Sequence, residues 1–180
     1  MDGFDFHTHR LDAPAGKAIV NLPREALLFP GDFCLRPGCF YSAGVHPWWT
    51  SEDDVDLLFQ GVARWASCPQ VVAIGECGLD RLRGAALEEQ QRWFVRQAEL
   101  AESSGRPLIV HCVKAFDVLI QLHRCLSPRA QWVVHGFRGK PQLAQMLLRA
   151  GMHLSFGKNY NEESYRLTPE ACRHHETDAE

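Results

Sequence analysis

The sequence has several absences that exclude whole classes of protein. No apolar run approaches the roughly 20 residues that a helix needs to cross a bilayer, and the N-terminal residues 1–7 lack the cationic start and apolar core of a signal peptide. The seven cysteines are scattered without a CxxC pair, which argues against a zinc site of paired thiolates and against a disulfide framework. We therefore expect a cytoplasmic protein without a membrane partner, whose reduced thiols serve as small buried side chains.

A large excess of one charge is also absent. The 180 residues include 19 Lys and Arg against 22 Asp and Glu, which gives a formal net charge of −3 at pH 7. A broad basic surface for nucleic acid is not expected, although a local basic rim is compatible with this balance. The sequence also has no internal repeat and no Ser/Gly-rich linker, so we expect residues 1–180 to form one globular domain.

Short apolar runs alternate with amphipathic helical patterns. The predicted strands are 3–7, 18–21, 39–45, 71–75, 108–111, 132–135 and 152–156. The predicted helices are 52–67, 85–104, 114–125 and 141–150. This alternation predicts an α/β fold of right-handed βα units around a parallel sheet, and seven strands favour a (β/α) barrel over an open sheet.

Side chains that bind metals stand at or just after the ends of four of these strands. They are His7, His9, Glu76, His111 and His135. Because the carboxyl ends of barrel strands converge on one face, where active sites are built, we expect these five side chains to meet.

Each of these residues also has a simpler interpretation. The alternating His7 and His9 point to one side of a strand end, where they could bind Zn, Mn, Fe or Co rather than Ca, or could be an exposed pair. Glu76 follows an apolar strand and could bridge two cations or cap the next helix. His111 and His135 each end an apolar strand, a position that also suits a hydrogen-bonded core histidine.

Other histidines are less informative. His46 begins the run HPWW, so it could contact a substrate at a mouth lined by the tryptophans, or belong to a rigid loop packed on the rim. His123 and His153 fall within a helix and a strand, away from strand carboxyl ends, and receive no role. Asp80 could position the loop or a ligand.

Taken together, the motifs resemble those of the TatD-type metal-dependent hydrolases, within the amidohydrolase-like TIM-barrel group. The matching elements are DFHTH at 5–9, GVHP at 44–47, IGECGLD at 74–80, the strand ending in His111, HGFRG at 135–139 and ETDA at 176–179. They occur in the family's order and span almost the whole chain.

The resemblance implies a site for two divalent metal ions, with Mg, Mn or Zn as candidates. It assigns one ion to His7, His9 and Asp178, the second to His111 and His135, and a bridging position to Glu76. It also implies hydrolysis of phosphodiesters, chiefly exonucleolytic cleavage of DNA, with Glu76 and Asp178 as catalytic groups. Asp178 is then the residue that takes a proton from the attacking water.

The sequence departs from the family pattern at positions that bear on substrate binding. Lys114 stands where the family has an arginine after the fifth strand, and it supplies a point charge without the bidentate fork. Arg138 and Lys140 add two cations after His135. We therefore expect His46, Lys114 and Arg138 to contact the substrate, which is DNA or another phosphodiester.

The C-terminal region departs further from that pattern. Arg173, His174 and His175 precede the ETDA motif where the family has an apolar strand. We therefore expect a TIM-type barrel with seven clear βα units, a degraded or missing eighth strand, a shortened C-terminus and incomplete closure. Asp178 would then lie in a frayed terminus.

Two alternative functions remain open from the sequence. The same metal site could hydrolyse a small ester, lactone or amide, because this scaffold hosts many reactions. A truncated and catalytically weak metal-binding protein is the other alternative, and the oligomeric state is left open.

Overall fold

A computed structural model describes residues 3–178. Residues 1, 2, 179 and 180 lie outside the description, and they include Ala179 of the C-terminal motif and part of the N-terminal segment. The strands are β1 Asp5–Thr8, β2 Ala18–Asn21, β3 Phe40–Ala43, β4 Val71–Asp80, β5 Leu108–Val113, β6 Trp132–Val134, β7 His153–Phe156 and β8 Arg173–His175. The helices are α1 Arg24–Leu28, α2 Val55–Trp65, α3 Leu87–Ser104, α4 Phe116–Leu126, α5 Pro141–Arg149 and α6 Glu162–Leu167. Two 3₁₀ turns, Pro47–Trp49 and Glu170–Cys172, complete the set.

The strands form a closed barrel in chain order, with every neighbouring pair parallel. A helix follows each of β2 to β7 among the described residues, whereas β1 and β2 are joined by an irregular segment. The predicted α/β TIM-type barrel is confirmed.

The expectation of a degraded or missing eighth strand, with incomplete closure, is wrong. Arg173–His175 is β8, and it pairs with β7 at three positions and with β1 through Asp5 and His175. The strand tolerates polar residues because aromatic rings from elsewhere in the chain cover them. The Arg173 guanidinium lies 4.3 Å from the Tyr165 ring centroid, and the His174 ring lies 4.3 Å from that of Phe6.

The core is divided between the two faces of the barrel wall. An inner cluster consists of Phe6, Ile19, Ala73, Ile109 and Val133, one residue from each of five strands. The residues on either side of Ile19, Ile109 and Val133 instead belong to the larger cluster, which includes buried side chains of α2 to α5. This alternation is the pattern expected when barrel strands are covered by helices on the outside.

Strand β4 is longer than the sequence pattern indicates, because it continues through Glu76 to Asp80. A Cβ at Gly78 would overlap the backbone of His111 on β5, so glycine allows the two strands to approach closely there. Glu76 therefore lies within a strand, aimed into the barrel end, and not in the loop after it.

Two further observations concern the chain as a whole. Within residues 3–178, no helix combines the length and apolar character needed to cross a membrane. All seven cysteines fall in this range, and all are free thiols.

Candidate metal centre

The buried carboxylate of Glu76 lies at the centre of the carboxyl end of the barrel. Its Oε2 atom lies 3.4 Å from His7 Nε2 and 3.5 Å from His9 Nε2. Asp178 Oδ1 approaches the same two nitrogens, at 3.7 and 3.8 Å. The structure thus brings both N-terminal histidines to one oxygen of Glu76, and Asp178 to the same two histidines.

The other carboxylate oxygen of Glu76 faces three different imidazoles. Oε1 lies 2.8 Å from His111 Nδ1, 2.8 Å from His135 Nε2 and 3.1 Å from His46 Nε2. The two oxygens of one side chain therefore face two separate groups of nitrogen atoms. This division is the arrangement that a carboxylate bridging two cations requires.

Two further buried carboxylates stand behind the histidines of the Oε1 group. Asp80 Oδ2 lies 3.4 Å from His111 Nε2, and Glu176 Oε1 lies 3.5 Å from His135 Nδ1. A carboxylate that accepts the second ring proton fixes the tautomer and orientation of a metal-binding histidine. From the sequence, the role of Asp80 is ambiguous and Glu176 is recognised only as part of a motif. The local pattern does not show which histidine ring each carboxylate faces.

The turn that follows His46 fixes the tautomer of this imidazole. Its Nδ1 accepts a hydrogen bond from the backbone N–H of Trp48 at 3.2 Å, so the proton of the neutral ring lies on Nε2. Burial lowers the pKa of His46 despite its hydrogen bond to Glu76, which favours the neutral form. The Nε2–H therefore points to Glu76 Oε1 as a donor, and His46 is poorly suited to donate a lone pair to a metal there.

The electrostatics of the centre are dominated by the contact between one carboxylate and many imidazoles. Burial raises the pKa of Glu76, but His135, His111 and His46 outweigh it and hold that pKa well below its usual range. Burial likewise lowers the pKa of His135, but Glu76 and Glu176 outweigh it and raise that pKa well above its usual range. The carboxylate is therefore ionised at neutral pH.

The donor set fits divalent transition metals. His7 is fully buried, yet within residues 3–178 neither of its ring nitrogens has a hydrogen-bond partner of good geometry. Three overlapping groups of residues could each hold an ion, because the ligand atoms within each group lie within 4.8 Å of one another. The groups are His7, His9 and Glu76; His7, His135 and Asp178; and His46, Glu76 and His111. Imidazole and carboxylate ligands in this proportion suit Zn or Mn better than Ca.

The remaining predicted site residues lie around this centre. Asp178 is tied to β1, because its backbone N–H donates to His7 O at 3.1 Å. Its neighbour Thr177 donates from Oγ1 to Asp5 Oδ2 at 2.6 Å. Lys114 and Arg138 are exposed and follow β5 and β6, and no contact joins them to the cluster among the described residues.

A closed βα barrel with histidines and carboxylates gathered at the carboxyl ends of its strands defines a class of barrel proteins whose active site lies at that end. A model of the family described as TatD related DNase matches residues 35–179, which is most of the chain. The chain belongs to this family.

Curated relatives carry the same family name. The 3'-5' ssDNA/RNA exonuclease TatD of Erwinia billingiae is 40% identical over 122 residues, covering 66% of this chain and 46% of that protein. The protein of that name in Escherichia coli K12 is 34% identical over 118 residues, covering 64% and 45%. The chain thus spans a little under half the length of these relatives.

Solved structures agree on the fold. A TatD homologue from Escherichia coli K12 superposes with a TM-score of 0.76 at 24% identity, covering 96% of this chain and 77% of that one. A TatD family hydrolase from Entamoeba histolytica gives a TM-score of 0.73 at 22% identity, covering 98% and 73%.

Proposed function

We propose that this protein is a divalent-metal-dependent phosphodiesterase that removes nucleotides from the end of single-stranded DNA or a related nucleic acid. The observation that carries the proposal is the division of the Glu76 carboxylate between two groups of imidazoles. Membership of the family and the exonuclease names of the relatives support the same reaction class.

The proposed ligands follow the two sides of Glu76. On the Oε2 side they are His7, His9 and Asp178, and on the Oε1 side they are His111 and His135. Two cations held there, of Mn, Zn or Mg, would lower the pKa of a water molecule and stabilise the charge that develops on the phosphate and the leaving oxygen.

The side chains around the metal ligands have their own roles. Asp178 is partly exposed, so its carboxylate can take a proton from the attacking water while remaining in contact with solvent. His46 lines the same cavity as the metal ligands, so its imidazole can contact a substrate that binds there. Lys114 and Arg138 would neutralise substrate charge at the rim.

We further propose that residues 1–180 form a single domain and that it acts in the cytoplasm. The continuous closed barrel supports the first statement, and the seven free thiols agree with the second.

Metal content tests the metal centre first. Plasma mass spectrometry on monodisperse protein, purified without chelator or affinity tag, should give two equivalents per chain. The variant Asp178→Asn should retain one, because it removes a ligand from the Oε2 side only. The exposed control Glu162→Gln on α6 should retain two. A wild-type protein that binds no metal after incubation would contradict the proposal.

Substrate preference tests the reaction. Release of nucleotides from end-labelled single-stranded DNA should require the metal and should be inhibited by excess unlabelled oligonucleotide. Faster hydrolysis of a small ester, lactone or amide, without competition from oligonucleotide, would favour a small-molecule hydrolase and contradict the nuclease proposal.

A further inference from the structure

We propose that the indole of Trp48, backed by the guanidinium of Arg83, is a stacking platform for an unpaired nucleobase. This base would lie next to the phosphate whose ester bond is hydrolysed at the proposed metal centre. This inference rests on the proposed function, and it deepens that proposal by assigning a subsite for the base. It concerns a surface outside the ligand cluster.

Trp48 is held in one orientation at the wall of the site. Its Nε1–H donates to Asp80 Oδ2 at 2.7 Å, and the same carboxylate oxygen lies 3.4 Å from His111 Nε2. The indole nevertheless remains 37% exposed. A large aromatic ring that is both partly exposed and fixed by a buried acceptor is preorganised for stacking, because little side-chain freedom remains to be lost on binding.

Arg83 stacks on this ring, with its guanidinium carbon 4.4 Å from the ring centroid. Its loop is fixed from below by the buried amide of Gln90, whose Nε2 donates to the carbonyls of Asp80, Arg83 and Ala85. The loop that carries Arg83 is therefore held in place while its guanidinium stacks on the Trp48 ring.

The same loop is also joined directly to the turn that carries Trp48. A Cβ at Gly84 would overlap the carbonyl of Pro47, so the two segments are in contact there. The N–H of Ala85 donates to Thr50 Oγ1 at 3.3 Å. These contacts fix Arg83 relative to the indole through both backbone segments.

The platform lies in the same cavity as the metal ligands. Trp48 lines a cavity of about 420 Å³ together with metal-site residues. Its ring centroid lies 4.6 Å from that of His46 and 6.0 Å from that of His111. A phosphate bound at the metal ligands in this cavity therefore lies beside the indole, on which its own base can stack. A guanidinium on an aromatic ring also attracts the nearby phosphate backbone.

The chemistry favours an unpaired base over other ligands. Every nucleobase has a π-face that stacks on aromatic and guanidinium planes, and this contact tolerates any sequence. In a duplex the interior faces are covered by neighbouring bases, and pairing holds the terminal base in the helix, so an unpaired terminus reaches the platform more readily. We therefore expect the platform to select single strands without strong base preference.

Binding measurements test the platform independently of cleavage. The probe is a fluorescein-labelled single strand of about ten nucleotides with a phosphorothioate at each of the last two linkages. It is compared with the same strand carrying abasic sites at its last two nucleotides, on the metal-loaded wild-type protein. Removal of the bases should weaken binding about ten-fold. Trp48→Ala should bind the intact strand about as weakly as the wild type binds the abasic strand. In this variant, removal of the bases should weaken binding by less than about two-fold more.

Three variants control for indirect effects. Trp48→Phe keeps a π-face but loses the Nε1–H, so its affinity should fall between those of the wild type and Trp48→Ala. Arg83→Ala should lose a smaller part of the base-dependent affinity. The matched control is Arg96→Ala, which removes a guanidinium that lies 4.5 Å from the Trp93 ring centroid on α3, and it should retain wild-type base dependence. Equal base dependence in the wild type and Trp48→Ala, or none in the wild type, would overturn the platform.

The outcome separates the platform from the proposed reaction. Cleavage is measured on the same strand with ordinary phosphodiester linkages. Base-dependent binding through Trp48 without cleavage would support the platform and contradict the nuclease proposal. Cleavage together with equal binding of the intact and abasic strands would support the nuclease proposal and contradict the platform.

Discussion

Histidines gather at both ends of this barrel, and the two gatherings differ in what surrounds them. At the carboxyl end, five imidazoles face the single buried carboxylate of Glu76, and the proton sharing there raises the pKa of His9 and His135. At the amino end, His153 Nδ1 lies 3.0 Å from His174 Nε2, and the Phe6 ring packs against the second ring. There, burial lowers the pKa of both histidines, that of His174 to about 4.

The difference shows what makes a histidine cluster suitable for a ligand. The amino-end pair satisfies one hydrogen bond between its own members and stays neutral, so it offers no charge for a ligand to neutralise. The carboxyl-end cluster has a concentration of lone pairs and negative charge that a cation can neutralise, and His7 there has no hydrogen-bond partner of good geometry among the described residues. The predictions below test this contrast, from the largest expected effect to the smallest.

Replacing the central carboxylate should have the largest effect. In Glu76→Gln the amide keeps the shape of the side chain but removes the charge that five imidazoles face. We expect metal content to fall below one equivalent and phosphodiester cleavage to fall to background, while the circular dichroism spectrum stays that of the wild type. Retention of two equivalents and normal metal-dependent turnover would contradict the bridging role of Glu76.

The carboxylates behind the histidines should have an intermediate effect. Asp80→Asn and Glu176→Gln should each weaken metal affinity about 10- to 100-fold without abolishing binding, because they orient ligands and do not replace them. Competition with a chromogenic chelator measures this loss. The matched control is Glu102→Gln, a carboxylate that accepts from Arg129 and from backbone N–H groups. A loss of metal affinity in the control equal to that in the two variants would indicate a general effect of destabilisation.

The amino-end pair should affect stability toward acid and leave metal content unchanged. Burial and the neighbouring His153 and His175 lower the pKa of His174 from 6.5 to about 4, so the unfolded chain binds more protons in this range. The free energy of unfolding should therefore fall as the pH falls from 6.5 to about 4. In His174→Phe this fall should be smaller, as measured by urea unfolding at the two pH values.

Two results would contradict that assignment. An identical pH dependence in the wild type and His174→Phe would show that the pair does not titrate with unfolding. A loss of bound metal in the variant at neutral pH would show that the two ends of the barrel are not independent.

The exposed cations at the carboxyl rim should have the smallest effect. Lys114→Ala and Arg138→Ala should each raise KM for single-stranded DNA by a few-fold and reduce the salt dependence of binding by about one phosphate contact. The control Arg166→Ala removes a cation that is paired with Glu162 on α6, and it should leave both quantities unchanged. Salt slopes equal to that of the wild type would exclude these two residues from the substrate path.

The sequence by itself indicated the barrel and the candidate metal ligands at the carboxyl ends of its strands, because both depend on local patterns. The apolar runs that lead into His111 and His135 can be recognised from a few consecutive residues. Periodicity likewise indicates the buried face of an amphipathic helix such as α3. The placement of His7 and His9 on one side also follows from strand alternation alone.

Only the tertiary structure decided how the barrel closes and how each polar atom is used. Strand β8 forms from a polar tripeptide because it is covered by the Phe6 ring from β1, far away in sequence, and by the Tyr165 ring from α6. His46 Nε2 lies 3.1 Å from Oε1 of Glu76, which is 30 residues further along the chain. Such contacts depend on the relative positions of segments far apart in the chain, and local periodicity carries no information about those positions.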